Sequence, residues 1–147
     1  MRAVIQRVKS CEVKVENKTV GKIDRGILIF LGIKKDDTEK EIDYLLNKIL
    51  NLRIFEDENG KMNLSVKDIK GEILVVSEFT LYGDCRKGNR PNYIEAAPAL
   101  YAEEIYNKFI EKLKISNLKI ETGIFRAMME VYIVNDGPVT LIIDTKN

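Results

Sequence analysis

Two apolar runs, "RGILIFLGI" at 25–33 and "GEILVVSEFTL" at 71–81, constrain the fold more than any other feature. Each is apolar on both faces, where a half-exposed strand would alternate. They predict two central strands of a sheet covered on both sides. Part of the cover is also legible. "DDTEKEIDYLLNKILNL", 36–52, carries Ile42, Leu45, Leu46 and Ile49 at helical spacing. Thr38 and Glu41 fit a capping box at its start. "PALYAEEIYNKFIEKLK", 98–114, reads as a second helix with Pro98 in its first turn. There Leu100 or Tyr101, Ile105, Phe109 and Lys112 or Leu113 fall about one turn apart.

The rest of the chain reads as strands. "MRAVIQRV" opens it, and "CEVKVE" places Cys11, Val13 and Val15 on one face. "TVGKID" leads into the first apolar run, and "RIFEDENGKMNLSV" is a hairpin with Asn59-Gly60 in its loop. "LKIETG", "MEVYIV" and "VTLIID" are expected as three closing strands, the last two joined by a turn at "NDGPVT". No repeat, linker or low-complexity tract interrupts the order. The expected fold class is α/β in an α+β layered form: a single domain, 1–147, of mixed β-sheet layers with two main helices.

Composition narrows the chemistry. Lys+Arg is 24 and Asp+Glu is 23, so any polyanion must be met by a local patch. No apolar run reaches the ~18 residues of a membrane span, and the N-terminus is not a signal peptide. Cys11 and Cys85 are expected as free thiols in a reducing cytoplasm. There is no histidine. A Ser-His-Asp or Cys-His mechanism and any His-containing zinc site are therefore excluded within the chain. No metal and no cofactor are expected. Proton transfers must use carboxylates, lysine, water or the substrate itself.

Four stretches carry candidate chemistry. "VSEFTLYGD", 76–84, ends a buried strand in Ser77, Glu78 and Thr80, with Ser77 and Phe79 expected on one side and Glu78 and Thr80 on the other. "RKGNRP", 86–91, gathers Arg86, Lys87 and Arg90 without an acid, as a phosphate grip would. "TGIFRAMM", 122–129, is an apolar wall of Phe125, Met128 and Met129. "NDGPVT", 135–140, puts Pro138, which cannot donate to a ladder, between two strand-like runs. Taken singly, each has an ordinary reading: a capped strand end, a solvated loop, a piece of core and a turn.

Taken together, the four stretches and "MRAVIQRV" resemble the D-aminoacyl-tRNA deacylase family in order and spacing over essentially the whole chain. The resemblance implies a deacylase-like homodimer whose partner is the acceptor end of aminoacylated tRNA, with no membrane or DNA partner. It implies a carboxylic ester hydrolase serving translation quality control in the cytoplasm. Gly137-Pro138 is similar to the family's Gly-cis-Pro motif, which reaches into the other subunit's site as a chiral gate. Ser77, Glu78, Phe79 and Thr80 fall in the family's Ser-Gln-Phe-Thr-Leu motif and become the candidate catalytic set. Arg7 matches an arginine that fixes the Gly-Pro motif. Phe125 and Met129 match pocket walls, and Arg86, Lys87 and Arg90 are the candidate tRNA contacts. The chain departs from the family at Glu78, where glutamine is usual, and at Arg126, where glycine is usual.

The implied mechanism needs no strong base. The ribose 2′-hydroxyl beside the ester assists water, backbone amides near Phe79 and Thr80 meet the oxyanion, and Gly-Pro carbonyls hold the ammonium. Glycyl-tRNA, including that mischarged on tRNA-Ala, is expected to pass such a gate. Two other classes compete: a non-catalytic tRNA-acceptor-end binding protein, and a thiol enzyme using Cys85.

Overall fold

The computed structural model describes residues 1–146; Asn147, the end of the expected domain, lies outside the described residues. The central strands form where the apolar runs stand. β3 (Gly26–Gly32) and β6 (Glu72–Ser77) pair in parallel, and β7 (Ile120–Thr122) adds to β6, also in parallel. β1 (Arg2–Val15) is antiparallel to β3 through its first half and to β2 (Lys18–Ile23) through its second. β8 (Glu130–Asp144) runs antiparallel along nearly the whole of β1. The result is a mixed six-stranded sheet with a small hairpin of β4 (Phe55–Glu56) and β5 (Met62–Leu64) beside it.

Period-two alternation sorts the sheet's side chains onto two faces. Ala3, Ile5, Ile27, Ile29, Leu31, Ile73 and Val75 face helices α1 (Glu39–Asn51) and α2 (Ala99–Leu113) in one core. Val8, Leu28, Leu74 and Val76 face the other way, where Cys11, Val13 and Ile23 close over them. A simple alternation would put Cys11 and Val13 on the helix face with Ile5. A register irregularity between Val8 and Ser10 reverses the parity. The same strand thus serves both cores, and burial pushes the Cys11 thiol up to about 11.

Helix α1 forms for the expected reasons, whereas Pro98 stands just before α2, at its N-cap, and not in its first turn. Thr38 Oγ1 accepts from Lys40 N–H, the Glu41 carboxylate accepts from Thr38 N–H at 2.7 Å, and Ile42, Leu45, Leu46 and Ile49 are buried. In α2 the buried stripe is Ala102, Ile105, Tyr106, Phe109, Ile110 and Leu113. Leu100 points outward, 83% exposed, so the stripe starts later than the spacing suggests.

Two expectations need correction. The second apolar run stops being a strand at Ser77, and Phe79–Tyr82 form a 3₁₀ turn. Its i→i+3 bonds from Leu81 N–H to Glu78 and from Gly83 N–H to Thr80 take the place of ladder bonds, so the strand-like alternation of 77–80 does not exist. "NDGPVT" is not a turn between two strands either. Glu130–Asp144 is one continuous strand, with a bulge in its middle. The closing strands are therefore β7 and β8, two rather than three. Among the described residues, no helix is long and apolar enough to cross a membrane.

Candidate functional site

A cavity of about 560 Å³ opens where β6 gives way to the 3₁₀ turn. Leu31, Ile33, Ser77, Glu78, Phe79 and Thr80 line it together with Phe125 to Met129. The structure thus brings together "SEFT" and "FRAMM", which lie far apart in the chain. Arg2 holds the turn in place: its guanidinium donates to Leu81 O at 2.8 Å and to Asp144 at 2.7 and 2.9 Å, and lies over the Tyr82 ring. Phe125 is anchored by α2, its ring 5.5 Å from that of Tyr106. Phe79, 58% exposed, meets Tyr93 edge-on at 5.1 Å at the cavity's rim.

The polar groups converge. Because the chain turns after Ser77, Thr80 swings back over Glu78 and its hydroxyl donates to Oε1 at 3.1 Å. Glu78 therefore has a partner, one that its sequence neighbourhood does not reveal. With its single proton committed, the Thr80 oxygen offers lone pairs to whatever enters. The first donors of a helical turn are left over by its own bonding. Among the described residues, the N–H groups of Phe79 and Thr80 meet no backbone acceptor.

Among the described residues, Glu78 and Arg126 are the only charged side chains lining the cavity. Among the described residues they form no ion pair with each other. Arg126 has φ +67°, in the left-handed region. A side chain there costs ~1–2 kcal/mol, partly offset by the greater unfolded freedom of glycine. Arg126→Gly should accordingly raise folding stability by roughly 0.5–1 kcal/mol. Thermal unfolding checks this, and a lower Tm in the variant would contradict it.

The other candidates lie outside this cavity. Gly137-Pro138 is a cis pair in the β8 bulge. Four residues, Asp136–Val139, stand opposite Arg7 alone, because Gln6 pairs with Thr140 and Val8 with Asn135. Arg7, 7% exposed, fills the space beneath. Its Nε donates to Asp136 O at 3.2 Å and its Nη1 to Ile54 O at 2.7 Å. Asn135 Nδ2 donates to Arg7 O at 2.9 Å and to Val139 O at 3.1 Å. The feet of the bulge are thus tied down. Its apex differs: Gly137 and Pro138 are exposed, have no partner in the β1 register, and receive no side-chain donor among the described residues. Neither lines the cavity of their own chain. Asn135 was not legible as a site residue, since its role depends on a strand that begins the chain.

The loop cations are unequal. Arg86 bonds Asp84 through Nε at 2.8 Å and Nη2 at 2.6 Å, and those bonds hold the Asp84 carboxyl down to about 2. The acid that cancels it sits just outside "RKGNRP". Lys87 and Arg90 are exposed and, among the described residues, in no ion pair. Cys85 is exposed but does not line the cavity. Among the described residues, no group of three or more potential ligands is placed to hold a metal ion.

Comparison with known proteins covers the same ground. The D-Tyr-tRNA(Tyr) deacylase family matches residues 4–144. The D-aminoacyl-tRNA deacylase of Thermosipho africanus is 62% identical, over 99% of this chain and 98% of its own. That of Aquifex aeolicus is 61% identical, over 99% of each chain. A solved structure described as c-Myc DNA unwinding element binding protein superposes with a TM-score of 0.93 at 47% identity, over 98% of each chain. One described as a probable eukaryotic D-amino acid tRNA deacylase has a TM-score of 0.84 over 97% of each chain; at 16% identity it speaks for the fold alone.

Proposed function

The chain belongs to the D-Tyr-tRNA(Tyr) deacylase family, and from that membership we propose that it hydrolyses the ester of D-aminoacyl-tRNA to free tRNA and D-amino acid. The observation that carries the reading furthest is the β8 bulge. Two carbonyls, of Gly137 and Pro138, are held out on tied feet and left without partners. Backbone acceptors arranged this way suit the ammonium of an aminoacyl group, each charge-assisted bond contributing ~1.5–3 kcal/mol. Since the bulge does not line its own chain's cavity, it serves the cavity of a second copy. The strand that bears it supports such an interface. Tyr132, Ile133, Val134, Leu141 and Ile142 are all exposed on either side of the bulge. A twofold interface across β8 would bury them and set each bulge over the partner's cavity. Sedimentation at micromolar concentration should give a dimer; a monomer with full activity would refute the cross-subunit gate.

At the cavity end, the amides of Phe79 and Thr80 receive the carbonyl oxygen as charge develops on it, while Phe125 and Met129 wall the pocket. The ribose 2′-hydroxyl assists the attacking water, and Thr80, steadied by Glu78, positions the ester. Ser77, the last residue of β6, lines the cavity beside them. Thr80→Ala should then lose about tenfold in rate, ~1.4 kcal/mol, rather than all activity. Single-turnover hydrolysis decides, and a trapped acyl-Thr80 species would establish covalent catalysis instead. The reading as a whole is tested with D-tyrosyl- and L-tyrosyl-tRNA. Release of tyrosine from the D ester alone supports it; binding without release leaves an acceptor-end binding protein.

The cytoplasm, where charged tRNA is used, is the proposed setting. Lys87 and Arg90, rather than Arg86, are the loop cations free to meet phosphate. Replacing both with alanine should weaken tRNA binding and lower the salt slope by about two phosphate contacts' worth, and Arg86→Ala should change it less. Equal effects from all three would place the phosphates elsewhere.

A further inference from the structure

The bulge has no ladder of its own, so something else must fix the direction of its carbonyls. Across the gap between Asn135 and Thr140, β1 offers only Arg7. The Arg7 guanidinium holds one foot, through Asp136 O. The other foot is Val139 O, and its donor is Asn135 Nδ2 at 3.1 Å. The same nitrogen donates to Arg7 O at 2.9 Å. One amide therefore closes the mouth of the bulge from 135 to 139 and ties it to β1. Its two protons are both used, on two carbonyls, which fixes which way the amide faces. On the oxygen side the Thr140 hydroxyl lies 3.5 Å from Oδ1, and Thr140 in turn accepts from Gln6 Nε2 at 3.0 Å. A hydroxyl that accepts from Gln6 has its proton to give to Asn135.

We propose that Asn135, steadied by Thr140, is a positioning residue that sets the direction of the Gly137 and Pro138 carbonyls and so determines discrimination between D- and L-aminoacyl esters. The inference rests on the deacylase reading above. It differs from a general structural role in what it predicts. A loosened bulge admits the L ester and holds the D ester less well, so the ratio of the two rates falls, even where the fold stands. Asn135 touches no substrate; it acts through the backbone it ties.

The isosteric change Asn135→Asp tests this, since a carboxylate cannot donate to either carbonyl and is repelled by both. Thr140→Val removes the hydroxyl at an exposed strand position that suits valine, and Thr140→Ser restores it. Initial rates on D-alanyl and L-alanyl esters of one tRNA are measured beside thermal melting. Displacement by a fraction of an ångström should lower the D-to-L ratio about tenfold in Asn135→Asp and severalfold in Thr140→Val, with Thr140→Ser near wild type. An unchanged ratio in Asn135→Asp overturns the proposal, as does a loss of both rates that tracks a lower melting temperature. If Asn135→Asp does not fold, Thr140→Val decides alone, and an unchanged ratio there overturns it. Absence of any D preference in the wild-type protein is a separate result, which refutes the deacylase reading itself.

Discussion

Gly137→Ala is expected to lower D-aminoacyl-tRNA hydrolysis by about 100-fold or more, the cost of displacing a reacting geometry by roughly 1 Å. The reason is local and steric. A Cβ at this position would lie 2.9 Å from Arg7 Nη2, 3.1 Å from Val139 Cγ2 and 3.2 Å from Val139 N. None of these can retreat easily. Arg7 is buried and held by Ile54 O and Asp136 O, and the Val139 backbone is tied by Asn135. The φ of +122° adds a second obstacle, because side chains other than hydrogen are strained there by about 1–3 kcal/mol. The bulge must therefore move, and its two free carbonyls move with it. Single-turnover hydrolysis and thermal melting of the variant check both halves. A near-wild-type rate with an unchanged Tm would mean that the bulge is not where substrate is held.

The second large effect concerns the substrate. A gate of backbone excludes a side chain in the L position and does not grip one in the D position. Glycine carries hydrogen in both. Glycyl-tRNA should therefore be hydrolysed at a rate comparable to D-alanyl-tRNA, while L-alanyl-tRNA is spared by about 100-fold, again the scale of a small misplacement. The comparison needs one tRNA carrying each of three esters. Resistance of glycyl-tRNA equal to that of L-alanyl-tRNA would show that the pocket recognises the D side chain positively, through walls such as Phe125 and Met129, and the gate would then be the wrong account.

The legibility of this protein differs sharply from element to element. β3, β6 and α1 could be read directly, because burial on both faces and a 3.6-residue stripe are local signals. The cap of α1 was likewise local, Thr38 and Glu41 lying on one turn. The order and spacing of "SEFTL", "FRAMM" and "NDGPVT" pointed to the family, and the comparisons agree. Glu78 shows the limit. Its type is visible, but its partner depends on the chain leaving the strand after Ser77, and nothing in "VVSEFTL" distinguishes a strand from a strand that becomes a 3₁₀ turn. Arg86 shows another: "RKGNRP" contains no acid, and the one that pairs with Arg86 is Asp84, two residues before it.

What the sequence determined by itself is the apolar framework, the two helices and the absence of any histidine chemistry. These depend on residue type and spacing, which survive without knowledge of the fold. Only the tertiary structure decided that "NDGPVT" is a bulge rather than a turn. A bulge is defined by counting residues on a partner strand, and that partner, β1, lies about as far away in sequence as the chain allows. Arg7 is buried and Gly137 exposed for the same reason. The parity of β1 and the width of the gap opposite Arg7 are set by long-range register, which no local pattern encodes.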